Sequence, residues 1–243
     1  MQNRETLFSV WAKGDSLMID RVGVVIPARD EAERIDACLD AVGLATVEVP
    51  SVIVQIVVVA DGCVDDTAGR ASRHRGVTVL ETEGSNVGRA RRHGAAFATI
   101  HGCQWIANTD ADSLVPSDWL SVQLELANLG ADAVVGTVRP NFLELSEAQR
   151  EAWTRTHDRG QAVGHVHGAN LGVRTNAYIR SGGFSAMPEH EDVDLVDRLR
   201  RHARVVATSR GEVITSGRPV GRTAGGYARY LREDLLQLPV THF

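Results

Sequence analysis

Asp110-Ala-Asp112 places two carboxylates one residue apart. In an extended segment alternate residues face the same way. The pair would then present hard oxygen donors suited to Mg2+ or Mn2+, completed by water and substrate phosphate. Asp and Ser are also common turn residues, and taken by itself the stretch reads first as a turn. Two more polar clusters, Pro27-Ala-Arg-Asp-Glu31 and Ala60-Asp-Gly-Cys-Val-Asp-Asp-Thr67, each follow an apolar run. A carboxylate such as Asp61 at a strand end can accept a hydrogen bond from a nucleobase N–H, although Asp61-Gly62 is a frequent turn pair. Arg89, Arg91 and Arg92 suit a phosphorylated small molecule or, alternatively, a solvated helix face. Glu191-Asp192 either begins a helix, where acidic residues are favoured, or supplies a proton acceptor. His165, His167 and His190 are candidates for metal ligation or acceptor contact. Arg218 and Arg222 stand in a Gly-flanked stretch, where surface arginine is the simple reading.

The elements that must position these residues alternate. Val22–Ile26, Val52–Val59, Val77–Leu80, Trp105–Ala107 and Ala133–Val135 read as strands. Helices are expected over Asp30–Val42, Asp65–Arg73, Val87–Ile100 and Pro116–Leu129. This alternation predicts an α/β fold built on a doubly wound parallel sheet, whose ligands lie beyond the carboxyl ends of the strands. The three polar clusters fall at such ends. Further on, Ser146–Gly160 is expected to be helical and Gly164–Arg174 a Gly- and His-rich loop entering a strand. Glu191–His202 is an amphipathic helix, and Gly225–Leu238 is the last one.

The chain has 243 residues, 43% hydrophobic and 23% charged, as a soluble protein with a real core would. A net charge of -5 argues against nucleic acid as a partner. Three cysteines, Cys38, Cys63 and Cys103, form neither a disulfide framework nor a Cys-x-x-Cys metal pattern, which suggests a reducing compartment. No signal peptide is evident from Met1 to Asp20, and Val52–Ala60 is too short to span a bilayer. The expectation is a cytoplasmic protein, with peripheral contact at a membrane and pairing into a homodimer left open.

The order of these pieces resembles the family 2 glycosyltransferases, which have the GT-A fold. That family's Pro-x-x-Asn-Glu is similar to Pro27-Ala-Arg-Asp-Glu31, with Asp30 for Asn. Its Asp-Asp-Gly-Ser-x-Asp-x-Thr resembles Ala60-Asp-Gly-Cys-Val-Asp-Asp-Thr67, with Ala60 and Cys63 as departures. Asn86-Val-Gly-Arg-Ala-Arg-Arg-His-Gly94, Asp110-Ala-Asp112, Gly168-Ala-Asn-Leu-Gly-Val-Arg174 with Gly182-Gly-Phe184, and Glu191-Asp192 follow in the family's order. The resemblance covers roughly residues 20 to 220.

It implies a single Rossmann-like, mainly parallel sheet flanked by helices. A nucleotide-sugar-binding half would cover about 20–137 and an acceptor-binding half about 138–243. Pro27, Ala28, Arg29, Glu31 and Asp61 would line the nucleoside pocket, Arg91 would lie near the donor, and in the metal motif Asp110-Ala111-Asp112 the first carboxylate would approach the ribose side and Asp112 would bind the metal. Asp192 would be the general base, with Glu191, Asn170, Arg218 and Arg222 contacting acceptor or diphosphate. The implied activity is metal-dependent, inverting transfer of a hexosyl group from a nucleotide-diphosphate sugar to a hydroxyl acceptor, with uridine the common base. A sugar nucleotidyltransferase would need a Gly-rich loop where Pro27-Ala-Arg-Asp-Glu31 stands. A non-catalytic nucleotide-sugar binder would show damage at Asp112 or Asp192, and both are intact. A double-Asp phosphatase would need a downstream Lys, and Lys13 is the only lysine.

Overall fold

In the computed structural model, residues 18–84, 86–157, 165–223 and 225–237 are described. The expected ends at Gly160 and Leu238, the entry of the His-rich loop at Gly164, and the N-terminal stretch up to residue 17 lie outside them. The first apolar runs form β1 (Arg21–Ala28), β2 (Ile53–Asp61), β3 (Val77–Thr82) and β4 (Trp105–Asn108). β1 to β4 pair in parallel in the order β3-β2-β1-β4. The helices between them are α1 (Ile35–Val47), α2 (Thr67–Ser72) and α3 (Val87–Ile100). The expected helix at Asp30 starts late because Asp30 has φ 52° and Glu31 closes a turn, its carbonyl accepting from Arg34 N–H at 2.9 Å.

Beyond β4 the sheet departs from a doubly wound parallel plan. After the short β5 (Ser113–Leu114) and α4 (Trp119–Asn128) comes β6 (Ala133–Pro140), which does not add to β4. β7 (Leu171–Arg174) inserts between them, antiparallel to both. β8 (Val205–Thr215) then runs parallel to β6 and carries β5 at the edge, completing eight strands in the order β3-β2-β1-β4-β7-β6-β8-β5. β8 escapes a periodicity reading because its register against β6 shifts between Gly136 and Val138, beside Gly211 at φ 66°. Such a bulge breaks the alternation of faces.

One face of the sheet packs Val22, Val24 and Ile26 against Ile35, Leu39 and Val42 of α1 and Leu120 and Leu124 of α4. The other packs Val25, Val57 and Val59 against Ala90, Ala95 and Ala98 of α3. Further along, that face also buries Leu195, Val196 and Leu199 of a helix named below as α7. Gly94 permits the close approach of α3 to β1, since a Cβ there would lie 2.4 Å from Val25 Cγ1. A third, smaller cluster joins α5 (Glu147–Thr156), through Ala152 and Trp153, to Leu231 and Leu235. Residues 227–237 form a run of short α, π and 3-10 turns instead of one regular helix. α6 (Thr175–Arg180) and α7 (Glu191–Leu199) complete the chain. Among the described residues, no helix is long and apolar enough to cross a membrane.

Candidate active site

The carboxyl ends of β1, β2 and β4 open onto a cleft of about 1340 Å3, whose opposite wall comes from α5, the loop before β7, the start of α7 and the segment after β8. Pro27, Ala28, Arg29, Glu31, Asp61, Arg91, Asp110, Ala111, Asp112, Glu191, Asp192, Arg218 and Arg222 all line it. The fold thus brings thirteen of the fourteen expected site positions, all but Asn170, onto one cleft, drawn from both halves of the sequence.

At the donor edge, Asp61 is buried and organises its surroundings. Its Oδ1 accepts from Thr82 Oγ1 and its Oδ2 from Asn86 N–H, both at 2.7 Å. Asn86 in turn caps α3, accepting from Arg89 N–H at 2.9 Å. Each carboxylate oxygen retains accepting capacity for a ligand. Asp110 and Asp112 do not lie in an extended segment. They sit in a turn between β4 and β5, closed by Ser113 N–H donating to Asp110 C=O at 3.1 Å. The strand stops at Asn108, so the turn and not strand alternation places both carboxylates in the cleft.

Arg91 is the buried link between the two sides. Its Nη2 donates to Asp110 Oδ1 at 2.5 Å and its Nε to Glu191 Oε1 at 2.9 Å, while Nη1 has no partner among the described residues. Burial pushes the Glu191 carboxyl up, and Arg91 opposes that shift. Asp192 begins α7 and is held by two amides: Gly168 N–H at 2.6 Å from Oδ2 and Val193 N–H at 2.8 Å from Oδ1. His190 precedes the helix at φ 63°, which turns the chain so that the acidic pair enters the cleft. Gly168 is needed beside Arg91, since a Cβ there would lie 2.3 Å from Arg91 Nη2.

The segment after β8 crosses back to the donor edge. Arg218 Nη1 lies 2.7 Å from Glu31 Oε1, and its Nη2 lies 3.0 Å from Asp112 Oδ2. Arg222 Nε also reaches Glu31 at 3.2 Å, and its Nη2 donates to the Asp30 carbonyl. Glu144, which sequence reasoning missed, anchors this crossing: it accepts from Ser216 Oγ at 2.8 Å and Gly217 N–H at 3.0 Å, and pairs with Arg34 at 2.8 Å. Its only sequence signal was a lone acidic residue after a strand. Asn170, expected as an acceptor or diphosphate contact, lies behind the wall. Its amide donates to the carbonyls of Thr137 and Gly211 at 2.9 Å each and accepts from Trp119 Nε1 at 2.9 Å, which spends the side chain as a strut between β6, β8 and α4.

Asp110 and Asp112 both present carboxylate oxygens to the cleft. Burial, followed by the charges of Asp110 and Glu31, lifts the Asp112 carboxyl to about 7 against the pull of Arg218 and Arg34. Two carboxylates with water and phosphate form a donor set of the kind that Mg2+ or Mn2+ takes. The described residues bring three ligand groups together only at Asp30, Cys63 and Asp65. There Asp30 takes Val64 N–H and Asp65 takes the N–H groups of Ala32 and Thr67, as in an ordinary turn. His165, His167 and His190 line the same cleft, and burial holds His167 down to about 4.

A mixed sheet of this order with its cleft at the carboxyl ends of the first strands is the GT-A fold of glycosyltransferases. The model of glycosyl transferase family 2 matches residues 23–187, and the chain belongs to that family. TarS from S. aureus, solved with UDP-GlcNAc, is similar in fold at 14% identity and a TM-score of 0.65, covering 85% of this chain and 61% of its own. The mannosyltransferase PcManGT from Pyrobaculum calidifontis, solved with GDP-Man and Mn2+, is 23% identical with a TM-score of 0.64, covering 84% of this chain and 59% of its own. The chain therefore spans about three fifths of the length of these solved relatives. No curated protein matches it.

Proposed function

We propose that this chain transfers a sugar from a nucleotide-diphosphate donor to an acceptor hydroxyl. The observation that carries the reading is the placement of Asp110, Asp112, Arg218 and Asp192 around one cleft, with carboxylates and arginines on the donor edge and a positioned carboxylate opposite. The nucleoside would lie along Pro27, Ala28, Arg29 and Asp61. Arg218 and Arg222 would exchange Glu31 for the diphosphate and balance its charge. Asp112, assisted by Asp110, would hold Mn2+ or Mg2+, which supplies Lewis-acid neutralisation of the departing diphosphate. Asp192 would accept the proton of the acceptor hydroxyl as its oxygen bonds to the anomeric carbon. The bond from that carbon to the diphosphate oxygen breaks on the opposite side, so the centre inverts, and a positioned base contributes about 10²- to 10⁴-fold. UDP is the favoured nucleotide from the family resemblance, and a hexosyl group the favoured cargo.

The test is a melting panel of UDP, GDP, TDP, ADP and CDP with and without Mn2+. A nucleotide at about 100 times its Kd adds about 2.7 kcal/mol of stability, a readable shift. A Mn2+-dependent shift with one nucleotide, lost in Asp112→Ala, supports the donor site. An Asp192→Asn variant should keep that shift and lose transfer, and full turnover in that variant removes Asp192 as the base.

A further inference from the structure

The wall of the cleft that faces the donor edge is built of rings. Trp153 and His157, four residues apart on α5 and its end, stack with centroids 4.5 Å apart and planes 3° apart. Tyr230 meets His157 edge to face at 6.2 Å, its hydroxyl 3.2 Å from His157 Nε2. Tyr227 stacks on Tyr230 at 5.7 Å, and His167 stands edge-on to Tyr227 at 5.9 Å. All five line the cleft. The belt ends at His167, one residue before the Gly168 amide that holds Asp192. Beside it on β6 and β8, Thr137 and Glu212 line the same cleft, with Thr137 Oγ1 3.3 Å from Glu212 Oε1.

Trp153, Tyr227 and Tyr230 belong to or pack on the small core cluster of α5, but that cluster does not bury the belt completely. Trp153 is buried, but His157, His167, Tyr227 and Tyr230 are each only partly covered. Burial holds His157 and His167 below the usual histidine range, so the wall offers ring faces without charge at neutral pH. The cleft is also larger, at about 1340 Å3, than the 300–1000 Å3 usual for one small ligand. The face of an aromatic ring is negative and its edge positive. Its complement is a rigid body with a flat, weakly positive C–H face and polar groups at its rim. A sugar ring has that form. An acyl chain laid there would cover the Glu212 carboxylate, which lines the same cleft, without offering it a donor, at a cost.

We infer that this belt is an acceptor subsite that takes a sugar ring, laying its C–H face on Tyr230 and His157 with a hydroxyl turned towards Asp192. The inference rests on the transfer reading above and adds the class of acceptor. Saturation-transfer NMR on the full chain tests it, using methyl β-D-glucopyranoside, methyl α-D-mannopyranoside, decanoate and 4-methylphenol as probes, each with and without nucleotide and Mn2+. The expected result is saturation of the ring C–H protons of at least one methyl glycoside, unchanged in Tyr230→Phe. Tyr230→Leu keeps apolar area but loses the ring, and should weaken binding by about threefold to tenfold, the range of one aromatic contact. If Tyr230→Leu does not fold, His157→Leu takes its place. Saturation of no glycoside, equal saturation in the leucine variant, or saturation of decanoate or 4-methylphenol alone overturns the subsite. Glycoside saturation without any nucleotide melting shift keeps the subsite and removes the transfer reading. Nucleotide shifts without glycoside saturation do the reverse.

Discussion

Arg91 carries a full charge into the interior, with its side chain 2% exposed between Asp110 and Glu191. A buried charge persists only when paired, and removing one partner strands the others. Arg91→Met should therefore cost about 3–5 kcal/mol in urea unfolding, because Glu191 is left without its cation. His167 tests the same physics through pH. Burial holds it at about 4 against an ordinary 6.5, so the unfolded chain binds a proton in that window that the native chain does not. Its contribution to stability is complete above pH 6.5 and is lost as pH falls towards 4. Asp112, lifted to about 7 from an ordinary 3.8, acts in the opposite sense, its contribution falling as pH rises through that range. The readable quantity is thus a difference: the melting temperature of His167→Gln should fall less steeply than that of the native chain between pH 6.5 and 4. Parallel slopes would mean that His167 is protonated in the native state.

At the scale of elements, α3 is the pivot. It packs through Gly94 on β1, is capped by Asn86 that Asp61 holds, and sends Arg91 across to α7. Gly94→Ala places a Cβ 2.4 Å from Val25 Cγ1. The strand or the helix must shift, which should cost about 1–3 kcal/mol by denaturant titration. The nucleotide response should weaken with it, since Asp61 and Arg91 ride on the same contact. A variant of native stability would show that α3 stands off the sheet at that point. α5 is a separate unit, closed by a capping box between Ser146 and Gln149 and tied to residues 227–237 by Gln149 Nε2 donating to Leu231 C=O at 2.9 Å.

At the scale of the molecule, the segment after β8 joins the two ends of the cleft. Arg218 binds Glu31 and Asp112 on the donor edge, and the residues that follow carry Tyr227 and Tyr230 to the opposite wall. Replacing Arg218 and Arg222 together by Ala should leave Glu31 and Asp112 without their ion-pair partners. Proteolysis after β8 should speed up, and the melting shift given by nucleotide with Mn2+ should shrink. An undiminished shift would place the diphosphate away from these arginines.

Much of the parallel half was legible in the sequence because its signals are local. Apolar β-branched runs mark β1 to β4, Val87–Ile100 has the bounds expected for α3, and ligands gather at strand ends in any sheet of this kind. Family motifs then brought Asp61, Asp110, Asp112 and Asp192 to notice in order. The insertion of β7 against the strand direction, the bulged β8 and the Glu144 anchor were not legible, since each depends on partners far away in the chain. The same holds for Asn170, where only packing reveals that three internal hydrogen bonds already use its amide. The aromatic belt is the clearest case. Trp153, His157, His167, Tyr227 and Tyr230 have no common spacing, and only the folding of α5, the β7 loop and residues 227–237 onto one cleft makes them a surface.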